Sequence, residues 1–527
     1  MNRLFKSKLP FITVAVVLVL VLLCGAVTAG APADWYVDAG YVGGDSDGSL
    51  EKPFTTIGEA ITAASDGNII SVTAGVYTEN VTIDKPITLT GPDSGSDLPL
   101  IKGTVNVTDI SENPKTIQNI NFTLQEGTID NIFLNKAKNV TIEHCNFDAD
   151  GRFMTPPGVR AIQMNSKCDG ITIDNCTFMD GYYVTIQGNV DGLTVKNSVI
   201  ENCKSGINLQ AGTTLVVENT DISVVAKGAA NDTYCVRFAS STTNSGQDMS
   251  ITGGTFTVDR AGLLAEAGTY HSAIVIREGA TGTLEVKNTN IRGEVVNLSK
   301  TILNAKYNCW GHFTLDFMVE GFEDKVDFSP WYADEDLTVL CELLYIVSGG
   351  TELTFDESGV DMDIETDEKE GYVTVARYSE DENDAPEGMI PAGIYLWIER
   401  SDNLANASAH IDIPYDPENL PDGVTEDDLR LYRYNETTEK WDLIPTQGID
   451  KENKILWAEL DHFSKFGIFA EAELKPEEPE PEEPESEEKP KSDLPRTSGG
   501  LLYLMIPGLA GLTAGLLLIR GKGQLRN

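Results

Sequence analysis

Six versions of one short phrase recur along the front of this 527-residue chain: NVTIEHCNF, GITIDNCTF, GLTVKNSVI, TLVVENTDI, a degenerate DMSITGGTF, and TLEVKNTNI. Aligned on the central apolar residue, they place Ile142, Ile173, Val195, Val217, Ile251 and Val286 in equivalent positions, and the steps Ile173 to Val195 to Val217 are each 22 residues. A 22-residue period exceeds one hairpin, and the phrases are too β-branched for helical repeats. It suits a coil of three short strands and their turns, repeated as a solenoid. Met164, Ile186, Leu209, Phe238 and Ile276 form a second expected ladder ahead of the next phrase. Asn175, Asn197, Asn219 and Asn288 recur two residues after the apolar marker. Asn tolerates a left-handed turn, and stacked Asn side chains can bond up and down the ladder.

Solenoid ends need covering. In KPFTTIGEAITAASDG, Ile57, Ala60, Ile61 and Ala64 fall at helical spacing, Thr56 and Glu59 make a capping box, and Gly67 stops the run. The segment reads as a helix capping the first coil.

The opening WYVDAGYVGGDSDGSLEKPFTTIGEAITAASDGNIISVTAGVYTENVTIDKPITLTG and the closing YNCWGHF…VDFSPWY resemble the first and last coils of right-handed parallel β-helix proteins of the pectin-lyase-like superfamily. The resemblance covers residues 34–332 and implies an all-β right-handed parallel β-helix with an N-terminal capping helix. The superfamily's fold hosts lyases, hydrolases, epimerases, adhesins and inert stalks, so function must come from the site.

Steps of 31, 34 and 35 interrupt the period in three places, and the excess falls in loops 148–160, 223–234 and 257–272. Insertions at one phase of a solenoid emerge on one side, so the three should wall a shared groove able to hold a glycan. Lyases of the resembled group use acidic residues holding Ca²⁺ and an Arg or Lys base. The resemblance thus implies Ca²⁺ as a cofactor, with Asp148, Asp150, Asp180, Asp232 and Asp259 as oxygen donors. The groove candidates are Asp150, Arg152, Arg160, Asp232, Arg237, Asp259, Arg260 and Arg277; no motif assigns any of them a catalytic role, and the structural reading of each is a solvated turn former. His144 occupies the Asn place of the first phrase and reads as structural; His271 lies in a loop. An HExxH motif is absent from the sequence.

Residues 337–473 read as an acidic β-sandwich. Asp334 to Glu473 carries roughly 36 acidic against 9 basic residues, and runs such as GYVTVARY, GIYLWIER and KFGIFAE alternate as antiparallel strands do. The whole chain has a formal charge of −43. Nucleic acid is excluded as an expected partner, because phosphate binding needs a basic face.

Both ends address the chain outward. Residues 1–29 have a signal peptide's basic start, apolar core and small-residue cleavage site. Seven cysteines remain after Cys24, with neither a CxxC nor a zinc spacing; Cys145 and Cys176 occupy equivalent repeat positions and read as packing between coils. Residues 474–493 are a Pro/Glu spacer, 494–500 contain Leu494, Pro495, Arg496, Thr497 and Ser498, 501–519 are apolar, and 520–527 are basic. That order resembles the LPxTG-like sorting signal of surface proteins, with Ser498 where glycine is usual. It implies a sortase-type transpeptidase cutting after Thr497; the alternative is a plain C-terminal transmembrane anchor, and either places the body at the cell surface. Two functions follow. One is an anchored surface protein that binds extracellular polysaccharide or cell-wall glycan, or serves as an adhesive or structural component. The other is an anchored polysaccharide lyase or glycoside hydrolase acting on uronate-containing glycans.

Overall fold

The computed structural model describes residues 33–471 apart from 94–96, 153–157, 212–213, 229–230, 240–247, 261–268, 311–324, 335, 347–351, 382 and 384. The signal, spacer, sorting-motif, transmembrane and basic-tail segments lie outside the described residues. Among those described, no helix is long and apolar enough to cross a membrane.

The repeating phrase builds a parallel β-helix with three strand faces per turn. Its marker residues form one column: Trp35, Ile70, Leu89, Ile117, Ile142, Ile173, Val195, Val217, Ile251 and Val286 are successive register partners. Every member from Ile70 onward is fully buried. Each side chain thus meets its counterpart one strand spacing away, about 4.8 Å, and contributes about 1.5–3 kcal/mol of burial. We call the face containing these markers face two. Face one precedes it in each turn, as in Asp130–Asn135 and Thr233–Phe238, and face three follows it with nine strands from Val76–Tyr77 to Asn290–Arg292.

The corner between faces two and three explains the Asn repeat. Asn175, Asn197, Asn219 and Asn288 all have φ near +50°, as do Asn119 and His144. The backbone N–H of each donates to a carbonyl of the next turn, for example Asn175 to Lys196 and Asn197 to Glu218. The side chains do not form the expected Asn ladder; Asn197 Nδ2 donates instead to Asp174 Oδ1 at 2.9 Å. What the position requires is a residue that accepts left-handed backbone. Except after Asn119, where Ile120 follows, the next residue is buried and small, and it closes the turn on itself. Ser198, Thr220 and Thr289 donate to the carbonyl two residues back, and the Cys145 and Cys176 thiols do the same. All seven described cysteines are buried, and no disulfide joins any two of them.

The second ladder needs a correction. Met164 pairs with Gly188, and Gly188 with Leu209, which then meets Phe238 and Ile276. Ile186 belongs to the neighbouring column, between Ile162 and Ile207. A glycine holds the expected apolar place because a Cβ there would lie 2.3 Å from the Met164 carbonyl oxygen.

Helix Ile57–Ala63 has the expected capping box and buries Ile57, Ala60 and Ile61. Its ends are further fixed from the next turn. Glu79 accepts from the Ile57 and Gly58 N–H groups, and Lys85 Nζ donates to the Ile61 and Ala64 carbonyls, each charge complementing the helix dipole.

Beyond the last turn the described residues form two antiparallel sheets packed as a sandwich, one of seven and one of five strands. Trp441 packs on Tyr434 and Phe469, whereas Tyr432 packs on Phe469 from its own strand. The sandwich is joined to the coil by hydrogen bonds: face three continues from Asn290 through Cys309 to Tyr332, which pairs with Leu340. Cys341, Leu343 and Ala376 of the sandwich lie in the same buried cluster as the coil interior.

Candidate functional site

All three insertions leave the coil at the corner from face three to face one. The corners at 180–185 and 203–206, between the first insertion and the other two, are short. Long corners flanking short ones leave a valley, and a cleft of about 460 Å³ lies in it. Arg160 lines one side, while Asn231, Asp232 and Thr269 line the other. Tyr183, Val184, Gln187, Lys204, Asn208, Tyr234 and Arg237 make the floor.

The floor arises from strand alternation. On face one, Ile162, Ile186, Ile207 and Val236 point inward, so their neighbours Gln163, Gln187, Asn208 and Arg237 form a polar column in register on the outside. Arg237 is held on three sides: Nη1 donates to Asp232 Oδ2 at 2.9 Å, Nε donates to Asn208 Oδ1 at 3.0 Å, and the guanidinium lies 4.6 Å from the Tyr234 ring centroid. Asp232 also accepts from the Tyr270 N–H, tying two insertions to Arg237. Arg160 forks onto Asp130 at 2.6 and 3.3 Å. Burial outweighs that guanidinium and pushes the Asp130 carboxyl above its usual range.

Lys204 is 4% exposed and makes no ion pair among the described residues. Its Nζ stands 3.8 Å from the centroid of Tyr183, whose ring packs against Gly158 of the first insertion. Burial lowers the Lys204 pKa to about 8, so part of the population is a neutral amine near physiological pH. Burial likewise pushes Tyr234 up to about 12.

Of the sequence candidates, the cleft brings together Arg160, Asp232 and Arg237. The others lie elsewhere. Asp150 lines a separate depression on face three with Asp148, and Arg152 reaches the Gln125 carbonyl. Arg260 pairs with Glu294 and Arg277 with its neighbour Glu278. The Asp259 carbonyl accepts from Ala226 N–H, joining the second and third insertions. His271 is buried, with Nε2 against the Gly228 and Asn231 carbonyls, and pins the same two insertions together. Sequence reasoning missed Lys204, Tyr183, Gln187 and Asn208, which sit on the short corners and strands rather than on the insertions.

The described residues do not fit the calcium that the resemblance implies. No group of three or more His, Cys, Asp or Glu among them is placed to hold a metal ion. Both oxygens of Asp232 are engaged by Arg237 and Tyr270, and both of Asp130 by Arg160.

No protein-family model matches the chain, and no curated protein matches it by sequence. Three solved structures illustrate what the chain is similar to at low identity. A rhamnogalacturonan lyase is 10% identical over 48% of this chain and 87% of its own, with a TM-score of 0.28. A pectin methylesterase in complex with a hexasaccharide is 14% identical over 56% of this chain and 96% of its own, with a TM-score of 0.31. The tailspike protein gp49 of Acinetobacter baumannii bacteriophage Fri1, a capsular polysaccharide depolymerase, is 10% identical over 77% and 80%, with a TM-score of 0.31. Superposition this loose carries no argument, and the cleft's chemistry has to be read from its own side chains.

Proposed function

We propose that this protein engages an acidic polysaccharide in the face-one cleft. One observation carries the reading: on a chain of formal charge −43, Arg160, Lys204 and Arg237 converge on one cleft with the amides of Gln187, Asn208 and Asn231 and the rings of Tyr183 and Tyr234. Arg160 Nη1 and Arg237 Nη2, which make no hydrogen bond among the described residues, can each donate to a glycan carboxylate; amides take sugar hydroxyls, and aromatic faces take the apolar face of a pyranose.

A second reading, uronate lyase, is favoured by Lys204, an amine lowered to about 8 with no ion-pair partner among the described residues. In that reaction a guanidinium neutralises the uronate carboxylate, and Lys204 Nζ takes the proton from the adjacent carbon. The bond from the neighbouring carbon to the glycosidic oxygen then breaks, that oxygen takes a proton from the Lys204 ammonium or from water, and a carbon–carbon double bond remains. No step is routed through calcium. The test is retention of the full chain on uronate-containing and neutral polysaccharides, with products read by the absorbance of the unsaturated sugar, in calcium and in chelator. Retention on acidic glycan alone supports binding, and unsaturated product adds the lyase. Equal retention on neutral glycan, or none, overturns both.

The same proposal takes the body outside the cell, supported by the signal-like start and by the order of spacer, Leu494 to Ser498, apolar run and basic tail. Substituting Thr497→Ala is expected to shift the protein from the cell-wall fraction to the membrane fraction. An unchanged distribution would leave a plain membrane anchor.

A further inference from the structure

Where the last turn meets the sandwich there is a second pocket, of about 700 Å³, whose charge is opposite to that of the cleft. Four carboxylates line it, Asp327, Glu342, Asp356 and Glu357, with one ammonium, Lys306, already paired to Asp327 at 3.2 Å. Glu357 accepts from Tyr307 Oη at 2.6 Å. Glu342 is the unusual member. It is 7% exposed, and Oε2 accepts from the Glu357 and Ser358 N–H groups at 3.0 Å each. Its other oxygen has no hydrogen-bond partner among the described residues, although the residue lines the pocket. Burial pushes this carboxyl above its usual range, and Glu357 and Asp356 push it the same way. Beside these acids, Ile302 and Tyr345 are 61% and 59% exposed, which is unusual for side chains of their size.

A buried carboxylate with an open oxygen, in a field of like charge and next to exposed apolar side chains, is stabilised by a cation carried on an apolar stem. We propose that this junction pocket binds an alkylammonium or alkylguanidinium group, the cation meeting Glu342 and Glu357 and its stem lying along Tyr345 and Ile302. The group can come from a free amine or from a lysine or arginine side chain of a partner.

Titration calorimetry on the full chain tests this with agmatine, cadaverine, an arginine-containing tripeptide and its citrulline counterpart. Saturable binding of the cations is expected, with the citrulline peptide at least about tenfold weaker. Saturation by the free amines alone identifies a small-molecule source, and tighter binding of the arginine peptide identifies a partner's side chain. Glu342→Gln keeps an oxygen for the two backbone N–H groups and removes the charge, so affinity is expected to fall about tenfold. Tyr345→Ala removes an exposed wall without touching a buried hydrogen bond and is expected to weaken binding a few-fold. Absence of saturable binding by every cation, equal binding of the citrulline peptide, or wild-type affinity in both variants would overturn the proposal.

Discussion

Asn175 and Lys204 show two ways in which a single residue is determined by the coil. Asn175 is fixed by backbone conformation, at φ 50°. Asn175→Gly is therefore expected to leave the denaturant midpoint nearly unchanged, while Asn175→Val costs about 1–2 kcal/mol; equal effects would show that the side chain, not the turn, matters. Lys204 is fixed by burial. Its folded pKa of about 8 lies below the ordinary 10.5, so between those values the unfolded chain binds more protons and stability rises with pH. The penalty of the buried ammonium is full below about 8 and relieved by about 10.5. Lys204→Met is expected to flatten that rise in thermal-melt series, and an unchanged slope would place the ammonium in solvent. The Asn turn was legible because it repeats in sequence. Lys204 was not, because CKSG carries no repeat signal and gains its meaning only from the long corners on either side.

At the scale of elements, ladders make the core, and their visibility depends on uniform spacing. The face-two column was readable from Ile142 to Val286 by its β-branched markers, whereas its earlier members Trp35, Ile70, Leu89 and Ile117 were not read. The face-one column slipped by two residues at Gly188, where the close approach to the Met164 carbonyl removes the side chain that would have marked it. On face three, the last residue of each phrase forms a further column that sequence reading passed over. There Phe122, Phe147 and Phe178 stack with centroids 4.7 Å apart and planes within 12°. Phe147 is fully buried between two rings, so Phe147→Ala is expected to cost about 3–5 kcal/mol by chemical denaturation. A loss below about 1 kcal/mol would mean that the stack is not a packed unit. The insertions were legible as walls because they break the period. The floor between them was hidden, since it consists of the polar halves of otherwise ordinary strands.

For the whole molecule, a composition change past Tyr332 suggests a separate acidic module, yet the structure runs one sheet from face three through Cys309 and Tyr332 into the sandwich. An open coil end exposes unpaired strand edges and its apolar interior; here Trp331, Cys341 and Leu343 cover them. The described body is thus expected to melt in one transition, and truncation after Ala333 to yield an aggregating product. Two separate transitions with a soluble truncated coil would show that the sandwich is not its cap. The cleft depends on the same continuity, because its walls and floor come from five successive turns. Hydrogen exchange measured with and without a soluble polyuronate tests this account most directly. Protection concentrated at 158–164, 182–189, 203–211 and 231–238 is expected, the segments that carry the lining residues. Unchanged exchange there, or protection confined to face three or the sandwich, would contradict it.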